Sequence, residues 1–173
     1  MEKAISFFQK KGYESILIKL NDYLPDKVDE SEEIYLEKAK TDKEYEAYVL
    51  IVRNGLECLL DNGTKDDLTT ELLIYDWDTK LYNDRKDKVQ NKNARHNLNF
   101  DKDSQTSDFS KGKGTTVAWK DVPFVNQIRK NLVTVFGENA KGLKCEGNKY
   151  YEPKGTGIGY HGDTERRKVI GFV

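Results

Sequence analysis

Residues 148–173 read NKYYEPKGTGIGYHGDTERRKVIGFV, and this stretch gives the strongest indication of the fold. Residues 143–151 alternate well enough for a strand, and a Pro- and Gly-rich turn follows at residues 153–157. Residues 158–161 should then return antiparallel, and residues 168–173 predict one more strand. This part of the chain is therefore expected to be an antiparallel β structure.

Two potential metal ligands stand two residues apart in this stretch. Side chains i and i+2 of a strand point to the same face, so His161 and Asp163 would converge on one point. Two ligands of a facial iron(II) site converge in this way. Gly159 and Gly162 flank the pair and allow close approach of a ligand. A surface turn with a solvated carboxylate is the alternative explanation of the tripeptide.

Asn148 and Tyr150 form a second pair with the same spacing. They lie on the preceding predicted strand and share one of its faces. Across a hairpin, that face could lie beside the face that carries His161.

The composition is that of a single domain with long polar loops. The chain has 173 residues, of which 36% are hydrophobic and 34% charged, and its mean hydropathy is -0.81. Ten Tyr, seven Phe and two Trp supply large apolar groups for a core. The net charge of -1 excludes a global field that would gather nucleic acid, although a local basic patch remains possible.

The cysteine content and the apolar runs bear on the compartment. Cys58 and Cys145 are too few for a disulfide scaffold, and reduced, buried thiols are expected. No stretch approaches the roughly 20 apolar residues of a membrane span, and residues 1–10 are too short an apolar run for a signal peptide. An intracellular protein, cytoplasmic or nuclear, without membrane contact is expected.

The first 60 residues are expected to be helical. Apolar residues at helical spacing predict a helix that Pro25 closes, and Thr41 with Glu44 resembles a capping box for a helix running to Leu60. Gly63 is expected to end that helix with positive φ.

Beyond residue 63 the spacing of apolar residues is no longer that of a helix throughout. Residues 72–75 predict a strand, residues 101–114 a loop, and residues 115–119 a β-branched strand. Pro123 at the first turn and Gly137 just past the end predict an amphipathic helix between them.

The order N-x-Y, short turn, then I-G-Y-H-G-D-T-E resembles the core of the AlkB-like iron(II) and 2-oxoglutarate-dependent dioxygenases. In that family the Asn and Tyr of the N-x-Y motif contact 2-oxoglutarate, and Asn148 and Tyr150 match them. The family's H-x-D supplies two iron ligands, which His161 and Asp163 match. Glu165 fits the acidic residue that commonly follows. The specific resemblance is confined to this C-terminal stretch.

The resemblance implies Fe(II) and 2-oxoglutarate as cofactors, with oxidative hydroxylation or demethylation of an alkylated nucleic acid or a protein. It also implies an α+β fold. Residues 1–63 would be a helical N-terminal segment packed on the same domain. Residues 64–173 would be an AlkB-like β core, an incomplete double-stranded β-helix (jelly roll) of mainly antiparallel strands that lacks its C-terminal strands.

The chain also departs from the family pattern. The family's second His ligand and its 2-oxoglutarate-binding Arg lie far downstream of the H-x-D. Arg166 and Arg167 are not placed like that Arg, and His96 is better explained as a surface or substrate-side residue. The chain as it stands is therefore expected to be inactive. It would be a fragment, a shortened relative, or a half-domain whose β core a partner chain completes.

Two other functions stay open. A non-enzymatic binding or assembly module on a degenerate dioxygenase fold would explain the departures and the apolar terminal strand. A nucleic-acid binder without chemistry would explain a basic run, for which a solvated polar loop is the simpler explanation. That run consists of Lys80, Arg85, Lys86, Lys88, Lys92 and Arg95.

Overall fold

The computed structural model describes residues 1–152 and 169–173, which form a mixed α+β fold. Its contacts divide the chain into two compact units, Met1–Cys58 and Leu59–Val173. The described helices are α1 (Glu2–Lys10), α2 (Glu33–Thr41), α3 (Lys65–Leu73) and α4 (Pro123–Phe136). The described strands are β1 (Ser15–Lys19), β2 (Tyr48–Val52), β3 (Lys80–Asn83), β4 (Lys88–Asn91), β5 (His96–Asp101), β6 (Thr116–Ala118) and β7 (Cys145–Lys149).

The unit Met1–Cys58 contains a two-stranded sheet. β1 and β2 pair antiparallel, with Ile16 opposite Ile51. The helical predictions for these segments are therefore wrong. A short apolar run fits either period, and here the β-branched Ile and Val residues, which are stiff at χ1, favour the extended form. In the same unit, α1 buries Ala4 and Phe8.

The predicted helix start at Thr41 is also wrong, because Thr41 is the last residue of α2. Its hydroxyl donates backwards to Glu37 O at 2.9 Å, as Ser and Thr do within helices. The capping residue is Asp42, whose Oδ1 accepts from Glu44 N at 2.9 Å and starts a 3-10 turn at residues 43–45.

The unit Leu59–Val173 contains a β hairpin and a three-stranded sheet. β3 and β4 pair antiparallel, and the larger sheet has the order β6-β5-β7. Its central strand, β5, runs antiparallel to β7 and parallel to β6. The core beside it is a cluster of Leu98, Phe100, Val117, Val122 and Val125. Antiparallel pairing therefore predominates, as expected.

Three elements of this unit confirm the sequence predictions. The helix α4 has Pro123 in its first turn and Gly137, at φ 64°, directly after its end. β6 falls within the predicted strand at residues 115–119, and β7 within residues 143–151.

The strand predicted for residues 72–75 is wrong, because residues 72 and 73 belong to α3. A capping box starts this helix: the Thr64 hydroxyl accepts from Asp67 N at 3.2 Å, and Asp67 Oδ2 accepts from Thr64 N at 2.8 Å. Gly63 does not take a positive φ. It is needed instead for close packing, because a Cβ there would overlap the Phe124 ring.

Residues 169–173 have no regular secondary structure, so the terminal strand is wrong for this part of its range. The turn predicted at residues 153–157 and the strand predicted at residues 158–161 lie outside the described residues.

Candidate functional site

The three-stranded sheet has one apolar and one polar face. Leu98 and Phe100 of β5 are buried in the core, so Asn97 and Asn99 point to the opposite face. The register of β5 and β7 places Asn97 directly opposite Asn148. Asn148, which the N-x-Y motif marked as a cosubstrate contact, therefore lies on the polar face.

Asn97 is the centre of a hydrogen-bond network on this face. Its Nδ2 donates to Asn148 Oδ1 and to Glu146 Oε1, each at 2.5 Å. Lys92 Nζ donates to Asn97 Oδ1 at 2.6 Å. Within residues 1–152 and 169–173, Asn148 Nδ2 donates to no protein group. Its N–H groups can therefore donate to a ligand oxygen.

Lys92 lies just after β4, half-buried at the edge of this face. Burial lowers the pKa of its ammonium, and the nearby Arg95 lowers it further, while the Asp78 and Glu146 carboxylates act in the opposite direction. The backbone holds Lys92 in place, since its N–H donates to Thr79 O at 2.9 Å.

Asp78 is the buried carboxylate of this region, with 5% of its surface exposed. Its Oδ2 accepts from Thr115 N at 2.7 Å and its Oδ1 accepts from Thr115 Oγ1 at 2.6 Å. Gly114 allows this approach, because a Cβ there would lie 2.8 Å from Asp78 Oδ2. Asp78 thus ties the start of β6 to the segment before β3, and it supplies negative charge near Lys92.

Two aromatic residues connect the segment after β7 to the start of β5. The Tyr151 ring stacks on His96, with centroids 4.3 Å apart and an interplanar angle of 25°. The Tyr151 hydroxyl donates to Lys92 O at 3.3 Å. His96, expected at a surface or beside a substrate, is half-buried at the start of β5.

The structure places part of the predicted site. Asn148 lies on β7, and Tyr150, with 49% of its surface exposed, follows directly after that strand. His161, Asp163 and Glu165 lie outside the described residues.

Two features are absent from residues 1–152 and 169–173. These residues contain no group of three His, Cys, Asp or Glu side chains that could hold a metal ion. In the same residues, no helix has the length and apolarity needed to cross a membrane.

Sequence reasoning missed Asn97 and assigned Lys92 only to a basic run. The signal was present in residues 96–101, HNLNFD, where polar and apolar residues alternate with the period of a half-buried strand. Lys92 has no comparable signal, because its role depends on where Asn97 lies in the folded sheet.

Comparison with known proteins gives a viral relative of unknown function. The chain is 34% identical over 169 residues to the uncharacterized protein R156 of Acanthamoeba polyphaga mimivirus. The alignment covers 94% of this chain but 64% of that protein, so the chain spans slightly less than two thirds of its relative's length. No protein-family model matches the chain. No solved structure matches it either.

Proposed function

We propose that this chain carries the cosubstrate strand and the iron-ligand pair of an AlkB-like Fe(II)/2-oxoglutarate-dependent dioxygenase. The observation that carries the proposal is the amide of Asn148, which sits on a polar sheet face with its Nδ2 directed to no described protein group. Such an amide suits an oxygen-rich ligand. Tyr150 and the His161-x-Asp163 pair follow it in the order that the resemblance requires.

The proposal assigns a role to each residue. Asn148 and Tyr150 would bind and orient 2-oxoglutarate, and His161 and Asp163 would hold Fe(II). Together, the bound metal and cosubstrate would supply the oxidising chemistry for hydroxylation of a C–H bond. The protein's own contribution is to hold these groups and to position the target beside them.

The finer fold belongs to the same proposal. The sheet β6-β5-β7 would form one part of a double-stranded β-helix, with its polar face lining the interior where ligands bind. Its apolar face already has a core, formed by Leu98, Phe100 and Val117 with Val122 and with Val125 of α4. Because the apolar core packs on that face, a ligand would bind on the polar face.

Binding of metal and cosubstrate tests the proposal. The full chain would be titrated anaerobically with Fe(II) and 2-oxoglutarate, and calorimetry and the visible absorption of the chelate would report binding. We expect Asn148→Ala to weaken 2-oxoglutarate binding about tenfold, the effect of removing one hydrogen bond to a charged group. We expect His161→Ala and Asp163→Ala to weaken metal binding.

Asn62→Ala is the matched control, since Asn62 is exposed in the segment before α3 and belongs to no strand of the sheet. It should leave both affinities unchanged. A folded chain that binds neither Fe(II) nor 2-oxoglutarate would contradict the proposal. That result would favour the alternative, a non-enzymatic binding or assembly module on a degenerate dioxygenase fold.

The β3–β4 hairpin favours nucleic acid over protein as the substrate class. Residues 80–95 contain six basic and two acidic residues, a net charge of +4. Four of the basic side chains are exposed and form no ion pair with a described residue: Lys80, Arg85, Lys86 and Lys88. Such side chains are available to phosphate groups.

Salt-dependent binding of an oligonucleotide tests this assignment. Replacing Lys86 and Lys88 with Gln should weaken binding and reduce the salt slope by roughly two, about one for each phosphate that the variant no longer neutralises. The matched control replaces Lys40 and Lys43, which are exposed residues of the other unit, with Gln and should change neither quantity. Equal binding by both double variants would contradict a role for the hairpin.

A further inference from the structure

We infer that Asn97 is a positioning residue for Asn148, and that Lys92 sets the orientation of Asn97. Lys92, Asn97 and Asn148 thereby form a chain of hydrogen bonds with a fixed direction, called the relay below. The relay leaves the Asn148 amide nitrogen as the donor for a ligand. The identity of the ligand that receives this donor, 2-oxoglutarate, rests on the proposed function. The relay itself rests on the hydrogen bonds of described residues.

The relay begins at a group that can only donate. An ammonium has no acceptor atom, so a contact from Lys92 Nζ requires the oxygen of the Asn97 amide, and the distance to Oδ1 is 2.6 Å. The nitrogen of the same amide must then face the other way, toward β7. Exchanging the two ends of the Asn97 amide would place N–H groups against an ammonium.

The opposite side of Asn97 imposes the same orientation. The carboxylate of Glu146 can only accept, and it lies 2.5 Å from Asn97 Nδ2. A donor-only group on one side and an acceptor-only group on the other leave one arrangement in which every contact is favourable. Asn97 therefore offers its second N–H to Asn148, whose Oδ1 lies 2.5 Å away.

The consequence for Asn148 is chemical selectivity. Its Oδ1 accepts from Asn97 Nδ2, so the amide offers two N–H donors that no described protein group accepts. The amide thereby suits a carboxylate or a keto oxygen, which would accept from these two N–H groups. The backbone of Lys92, held by Thr79 O and by the Tyr151 hydroxyl, anchors the start of the relay.

Asn97→Asp is the principal test, since it keeps the shape of the side chain and removes both N–H donors. We expect the side-chain amide signals of Asn148, observed by NMR with labelled asparagine, to shift and exchange faster. We also expect 2-oxoglutarate affinity to fall about tenfold or more. Asn62→Asp is the matched control: it makes the same change at an exposed Asn in the segment before α3, outside the sheet. It should leave both readouts unchanged.

Lys92 supplies a second test that adds no negative charge. Lys92→Met should disturb the Asn148 signals, because Asn97 loses its fixed orientation. Lys92→Arg, which still only donates, should restore them. A purely structural role would not distinguish these variants by the Asn148 amide. Unchanged Asn148 signals in Asn97→Asp or in Lys92→Met would overturn the relay. If the variants disturb the Asn148 signals but the wild-type chain binds no 2-oxoglutarate, the relay is supported and the proposed ligand is overturned.

Discussion

At the scale of single residues, Cys145 shows how burial changes the chemistry of one side chain. It packs against the core cluster of the Leu59–Val173 unit, and burial raises the pKa of its thiol from 9.0 to about 11. The native thiol therefore keeps its proton at pH values where the unfolded thiol has lost it. This contribution to stability is complete below pH 9.0 and is lost as the pH rises through about 11. We expect the free energy of unfolding of the wild type, measured in urea, to fall over that window relative to Cys145→Ala. An equal difference between the two proteins at about pH 8 and about pH 10 would contradict this.

The residue scale is also where sequence reasoning is most uneven. Asn148 could be picked out because its spacing from Tyr150 matches a strand and a family motif. The alternation of residues 96–101 indicates the strand face of Asn97 but not its importance, which comes from lying opposite Asn148 across the pairing of β5 with β7. Spacing along one strand shows which side chains share a face, but register between distant strands is a property of the folded chain.

At the scale of elements, the close packing of β7 on the segment before β3 gives a second prediction. A Cβ on Gly147 would lie 2.8 Å from Trp77 Cη2 and 2.9 Å from Cζ3, and the indole is anchored because its Nε1 donates to Leu72 O at 3.3 Å. Gly147→Ala should therefore lower the free energy of unfolding by roughly 1–3 kcal/mol, as overpacking does. Chemical denaturation would measure it. Gly171→Ala is the control, since a Cβ there meets no described atom within 4 Å, and it should change stability by less than about 0.5 kcal/mol. Equal stability of both variants would contradict the prediction.

Elements with their own end signals could be predicted from sequence. The helix α4 carries Pro123 at one end and Gly137 at the other, and both of its bounds follow from them. The helix α3 also has an end signal, but Asp67 stands where a capping box more often has Glu or Gln, and the apolar residues at its end resembled a strand. β1 and β2 are five residues each, too short for periodicity to separate a strand from a helix.

At the scale of the whole molecule, the division into two compact units was not predicted. The first 63 residues were expected to be a helical segment, whereas the chain divides after Cys58 and the first unit has its own sheet. Composition could not reveal this, because the division follows from which segments contact each other in the folded chain. The fold class, mixed α+β with mostly antiparallel strands, did follow from local patterns.

The position of β5 in its sheet has a consequence for synthesis of the chain. β5 ends at Asp101, but its antiparallel partner begins at Cys145, after β6 and α4 have been made. Until β7 leaves the ribosome, one side of the nascent strand lacks its backbone partner, although the strand carries Leu98 and Phe100. Such an interval favours off-pathway association between growing polypeptides. Weaker induction lowers the concentration of nascent chains without lengthening this interval, and it is therefore expected to raise the yield of folded protein.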